Sequence, residues 1–133
     1  LQVRKTADHL FAWARKARAD AAETGARQRL VVDTERKVFW IEREPKPLKE
    51  PGKFEALGGG WVEEALPPGV DFEVLEGFET DRSDSKRRYI EFWPDGTATE
   101  AQLGIANEQG DRRTIKVLAA TSKITIEHPA VAP

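Results

Sequence analysis

The sequence predicts an α+β domain in which one long N-terminal helix packs on antiparallel β-sheet. Two patterns carry that reading. Residues 1–24 hold neither proline nor glycine, and they place Val3, Ala7, Leu10, Phe11, Ala14, Ala17 and Ala21 on one stripe at spacings of three and four. Beyond Gly25 the apolar period changes to two, in about seven short runs separated by turn residues. The length, 133 residues with 39% hydrophobic and 33% charged, suits one domain with one modest core.

The helix comes first. Residues 1–24 read as one rod of roughly 36 Å stopped by Gly25, and 3–24 are expected to form one continuous helix. Its stripe is rich in alanine, which favours helix and lets a sheet approach closely. Leu10 and Phe11 are its bulky members, and the stripe is expected to meet the sheet through Leu10, Ala14, Ala17 and Ala21. Arg4, Lys5, Arg15, Lys16 and Arg18 fall largely off the stripe, as a solvated face or as a contact for anionic lipid or an acidic partner.

Leu30–Val32 and Val38–Ile41 read as two strands joined by a short hairpin connection. Residues 43–66 break the pattern with prolines at 45, 47 and 51 and the triple glycine 58–60. They read as an irregular, partly mobile insertion whose far end is folded back by Trp61 and Val62. In "VDFEVLEGF", Val70, Phe72 and Val74 oppose Asp71, Glu73 and Leu75. A charged loop, "DRSDSKRR", follows. Ile90 and Phe92 then alternate with Tyr89, Glu91 and Trp93, and Ala101, Leu103 and Ile105 alternate beyond. Pro94-Asp95-Gly96 lies between these runs and reads as the turn of a hairpin. Ile115 and Val117 pair with Ile124 and Ile126 in a last two strands. Ile90, Phe92, Leu103, Ile105, Ile115 and Val117 are expected to face the helix.

Charge is uneven. Residues 1–41 carry nine bases and five acids, residues 42–79 ten acids and four bases, and residues 80–133 eight of each. No run is long enough to span a bilayer, and no cysteine is present, which excludes disulfides and thiol chemistry. There is no methionine, and Leu1 falls inside an apolar-periodic pattern. The chain therefore reads as processed, or as a piece of a longer one.

The search for chemistry finds no constellation. His9 and His128 belong to no metal-ligand spacing. Glu63-Glu64 point apart on a strand, and Asp81 and Asp84 sit in a loop without the twelve-residue calcium pattern. Ser83, Ser85 and Ser122 lie in no nucleophile motif. Gly58-Gly59-Gly60 lacks the lysine and hydroxyl of a phosphate loop. Trp13, Trp40 and Trp93 read as packing residues. Asp95 reads as a turn former. No catalytic residue, metal or cofactor is expected.

The order of these features resembles the soluble part of a pseudopilin of the GspH/FimT group, minor subunits of type II secretion pseudopili and type IV pili. "ADHLFAWARKARADAAETGARQRLVV", Ala7 to Val32, resembles the family's junction of helix and first strand, with Ala14-Arg15, Ala17-Arg18, Gly25 and Leu30–Asp33 in its pattern. "FWPDGTAT", Phe92 to Thr99, resembles its hairpin, and "RRTIKVLAATSKITI" its final strand pair. Where the family often has Thr-Gly-Arg, this chain has Thr121-Ser122-Lys123.

The resemblance implies a pilin-like fold, with residues 1–25 as the C-terminal half of the family's long helix and 26–133 as a β-rich periplasmic domain. It implies a leader cut by a prepilin peptidase and an apolar helix, absent here, that anchors the subunit in the inner membrane. Its work would be assembly into a pseudopilus with other pseudopilins, and contact with secreted proteins. The insertion 43–66 is the candidate for partner specificity. An alternative within the family is a minor type IV pilin for pilus assembly or DNA uptake, for which Lys86, Arg87, Arg88, Arg112 and Arg113 would have to converge. Nucleic acid is not the expected partner. A second alternative is an unrelated ligand-binding or enzymatic β domain.

Overall fold

The computed structural model describes residues 2–127; His128 and the tail beyond it lie outside them. Helix α1 spans Gln2–Thr24. Gly25 ends it at φ +68°, its N–H donating to Ala21 O. A left-handed residue at this place satisfies a carbonyl that the last turn leaves open. Val3, Ala7, Leu10, Ala14, Ala17 and Ala21 are buried, whereas Phe11 is only half-buried beneath the Arg15 guanidinium, 5.6 Å from its ring centre. Thr6, Trp13 and Asp20 are buried with the stripe.

Among the described residues ten strands follow: β1 (Gln28–Asp33), β2 (Val38–Arg43), β3 (Glu55–Ala56), β4 (Glu64–Ala65), β5 (Val70–Glu76), β6 (Glu79–Thr80), β7 (Arg87–Phe92), β8 (Ala101–Asn107), β9 (Arg112–Val117) and β10 (Ile124–Glu127). The sequence expectation of about seven covers the longer ones. β3, β4 and β6 hold two residues each, too short to show a period. They form two antiparallel sheets. One has the order β3-β2-β1-β7-β6, with β4 also on β2, and the other the order β10-β9-β8-β5. The helix packs on both, mainly on β1 and on β9 and β10. Around Ala14 the packing leaves a gap of about 10 Å³ lined by Leu30, Ile90, Leu103, Ile115 and Val117, which offer a water no side-chain polar partner.

The β1–β2 hairpin forms in the register Leu30–Ile41, Val31–Trp40 and Val32–Phe39. Asp33 Oδ1 closes its turn by accepting from the N–H groups of Glu35 and Arg36.

The hairpin expected around Pro94-Asp95-Gly96 does not join its two strands. β7 lies between β1 and β6, and β8 lies between β9 and β5. Every edge of both strands is taken, so the chain crosses from one sheet to the other. The turn itself forms. Trp93 N–H donates to Thr97 O, Gly96 N–H to Trp93 O, and Phe92 makes one bridge with Ala98. Ile90, Phe92, Leu103 and Ile105 still reach one core, facing it from opposite sheets.

β5 departs from its alternation at a bulge between Phe72 and Val74. Val74 is exposed and Leu75 turns inward to pack on the core. Val74 occupies space beside Gly104, where an added Cβ would lie 3.1 Å from the Val74 Cβ. An extra residue in one strand reverses the faces beyond it.

The insertion 43–66 is more ordered than its prolines suggest. β3 and β4 pair with opposite ends of β2, a 3₁₀ turn at Gly59–Trp61 lies between them, and Glu44 and Leu66 are buried.

Candidate functional site

The carboxylates weighed for chemistry are all held in other tasks. Glu63 pairs with Arg36, while Glu64 Oε2 sits 2.9 Å from His9 Nδ1. Asp81 accepts from the backbone and hydroxyl of Ser83 at 2.8 and 2.7 Å. The hydroxyl bond is the main cause holding the Asp81 carboxyl below its usual range. Asp84 accepts from Lys86 N–H and lies 3.5 Å from Arg87. Among the described residues, no three His, Cys, Asp or Glu side chains group as metal ligands. Gly58 and the two glycines after it open a single 3₁₀ turn with no helix behind it.

Asp95 Oδ1 accepts from Thr97 N–H at 3.0 Å and Thr97 Oγ1 at 2.6 Å, and these bonds pull its carboxyl below the usual range. Gly96 takes φ +90°. Asn makes the same backbone bond, so Asp95→Asn is expected to leave thermal stability nearly unchanged. Gly96→Val is expected to cost about 1–3 kcal/mol, the range for strained backbone. Paired melting curves check both. A large loss in Asp95→Asn would show that the carboxylate does more than close the turn.

An ionic and aromatic network covers the outer face of the first sheet. The Arg29 guanidinium lies between the rings of Phe54 and Tyr89, 3.7 and 3.9 Å from their centres, and bonds Glu91 at 2.8 Å. Arg27 bonds Glu44 at 2.7 Å and Glu91 at 3.3 Å. Glu44 also accepts Gly52 N–H at 2.7 Å. The base of the insertion is thereby fixed to β1 and β7. A second set fixes it to the helix: Arg43 to the buried Asp20, Trp61 edge-on to Trp13 with ring centres 5.2 Å apart, and Glu64 to His9. A shallow groove of about 380 Å³ opens between Trp40, Leu57, Trp61 and Val62.

The hydrogen bond from Arg27 is the main cause holding the Glu44 carboxyl below its ordinary 4.5. A lowered carboxylate contributes stability that is present above the unfolded pKa and lost as pH falls through the folded one. The gap in melting temperature between the native chain and Glu44→Gln is therefore expected to be widest near neutral pH and to narrow below pH 4.5. A gap independent of pH would contradict the pairing.

None of this network was expected from sequence, where charged residues read as solvated. The faint signal was parity: Arg29 and Glu91 occupy regular strand positions beside apolar neighbours. Ser122 is another feature the sequence left unassigned. It is buried at φ +52° and accepts from Arg18 Nε at 2.8 Å, tying the helix to the β9–β10 turn. The basic residues weighed for nucleic acid do not form a free patch. Lys86 pairs with Glu35, Arg87 with Asp84 and Arg112 with Glu73, and Arg88 and Arg113 belong to different sheets.

This architecture matches known structures along nearly the whole chain. Two structures of the minor pseudopilin EpsH from the type 2 secretion system of Vibrio cholerae superpose with TM-scores of 0.74 and 0.73. They cover 98% and 99% of this chain and 100% and 97% of theirs, at 10% and 11% sequence identity. The fold is pilin-like. The sequence matches no family model and no curated protein.

In a pilin-like frame, the helix face opposite the stripe stays open. The predicted stripe is covered by the chain's own two sheets, so it is not available to neighbouring helices. Arg4, Lys5, Asp8, Ala12, Arg15, Ala19 and Ala22 are exposed. Leu48 and Val62, 97% and 63% exposed, project from the insertion. Among the described residues, no helix is long and apolar enough to cross a membrane.

Proposed function

We propose that this chain is the globular part of a minor pseudopilin of a type II secretion system, a subunit that works by packing and recognition and not by catalysis. The observation that supports this most is the end-to-end match to the EpsH fold, helix and both sheets included. In this reading an apolar helix preceding α1 holds the protein in the inner membrane, and the β domain stands in the periplasm. In the pseudopilus the open face of α1 meets neighbouring subunits, and the insertion meets partner pseudopilins or secreted proteins. Membership of the GspH/FimT group belongs to the same proposal. Pairing of Lys86, Arg87 and Arg112 with carboxylates, and the placement of Arg88 and Arg113 on different sheets, count against the DNA-uptake alternative.

Removal of the protein from its host is expected to stop secretion by that system. Variants Glu63→Gln, Glu64→Gln, Asp81→Asn and Asp84→Asn are expected to restore it, because none acts as a reacting group. Secretion that continues without the protein would overturn the reading. Failure of a folded carboxylate variant to restore it would argue for chemistry.

A further inference from the structure

The insertion carries a feature that core packing does not use. Leu48 is 97% exposed at the crest of the turn formed by residues 46–52. Single exposed apolar side chains are common on protein surfaces; Leu48 is set apart by the fixed turn that holds it in water. The turn is rigidly built. Glu50 N–H donates to Lys46 O at 2.8 Å, and Gly52 N–H donates to the Glu44 carboxylate, itself fixed by Arg27. Prolines at 45, 47 and 51 restrict the backbone further. Lys46, Lys49 and Lys53 flank Leu48 in the sequence, with Glu50 as the single acid between 45 and 53. Lys53 and Lys46 both lie toward Glu50, at 2.9 and 3.9 Å, which leaves the turn net positive.

We propose that this turn is a docking knob, in which Leu48 enters an apolar pocket rimmed by carboxylates on a partner pseudopilin. The assignment rests on the pseudopilin reading above and names the residues and the partner chemistry for it. A preformed apolar anchor within a charged rim is the arrangement that concentrates binding energy at protein interfaces, because little entropy remains to be lost on docking. The lysines supply complementarity and faster encounter with an acidic rim.

The position of the turn favours a protein over a bilayer. Glu44 N–H donates to Arg27 O, so the turn springs from the end of α1 where the chain enters β1. A helix of 23 residues, about 35 Å long at its rise per residue, separates that end from Gln2. An anchor preceding α1 would lie at the opposite end.

The test measures binding of the complete periplasmic domain to the purified periplasmic domains of the other pseudopilins of its own system. Leu48→Asp and the triple reversal Lys46→Glu, Lys49→Glu and Lys53→Glu are compared with the native chain. Leu48 touches no core residue, so Leu48→Asp is expected to melt with the native chain. Each variant is expected to weaken binding to one partner by on the order of ten-fold or more. Native affinity is expected to fall as salt is raised from 0.05 to 0.5 M, values set for the experiment and spanning roughly 14 to 4 Å in screening length. Charge reversal of carboxylates on that partner is expected to restore binding to the lysine variant.

Unchanged affinity in both variants would overturn the knob while leaving the pseudopilin reading intact. So would self-association of the chain through Leu48, or Leu48-dependent binding to phosphatidylglycerol vesicles with no pseudopilin bound. No binding by the native domain while secretion still depends on the protein would also overturn the knob alone. No binding together with unimpaired secretion in its absence would overturn the pseudopilin reading itself.

Discussion

Leu10→Asp is expected to destabilise the domain by about 3–5 kcal/mol, the cost of a buried charge with no partner. Leu10 has no exposed surface. It lies on the helix face that packs against both sheets, among Ala7, Ala14 and Phe39 in the common core. A carboxylate there must lose its hydration or open the seam between helix and sheets. Leu10→Ala separates the two contributions, because it removes packing without adding charge, at about 2–5 kcal/mol. The check is urea denaturation of all three chains. A loss under about 0.5 kcal/mol for Leu10→Asp would be the size of an ordinary surface change. It would show that this face is open in solution and reserved for a neighbour.

Gly77→Ala is expected to cost about 3–5 kcal/mol, a large loss for one methyl group. Two effects coincide. Gly77 holds φ +80°, and an ideal Cβ there would lie 2.1 Å from Glu100 O and 3.1 Å from Ala101 Cα. Neither obstacle is a flexible side-chain end; both belong to the backbone that leads into β8. Left-handed strain costs about 1–3 kcal/mol, and forcing backbone apart adds about as much again. Gly25→Ala is the comparison, because Gly25 has φ +68° with open space around it. It is expected to show the strain alone. Equal losses in the two variants, read from denaturant midpoints, would mean that the crossing between the sheets yields easily at Gly77.

Both positions show what sequence can and cannot reveal. Leu10 was legible because a helix repeats every 3.6 residues and its core stripe repeats with it. The same holds for Ile90, Phe92, Leu103, Ile105, Ile115 and Val117, which face the core as strand parity predicts. The importance of Gly77 was invisible, because it depends on Glu100 and Ala101, more than twenty positions away. The Pro94-Asp95-Gly96 turn was readable as a turn, since its bonds are local. Its two flanks were misread as hairpin partners, since edge occupancy by β6, β1, β9 and β5 is a property of the whole topology. Val74 was placed inward by parity and lies outward, because the bulge is fitted to Gly104 on another strand. The insertion looked irregular because its order comes from Arg27, Arg29 and Asp20, charged residues whose partners are distant in sequence. Leu48 was present in the sequence as one apolar residue among prolines and lysines. Only its exposure on a fixed turn distinguishes it from a packing residue.

The central claim is that this domain is the visible part of a pilin-type subunit. The measurement that tests it most directly is the fate of the full-length protein made together with its prepilin peptidase. The account predicts a mass shortened by a leader, recovery from the inner membrane, and co-isolation with other pseudopilins after mild solubilisation. A full-length protein that is not cut, and that is recovered free of both membrane and pseudopilins, would contradict it.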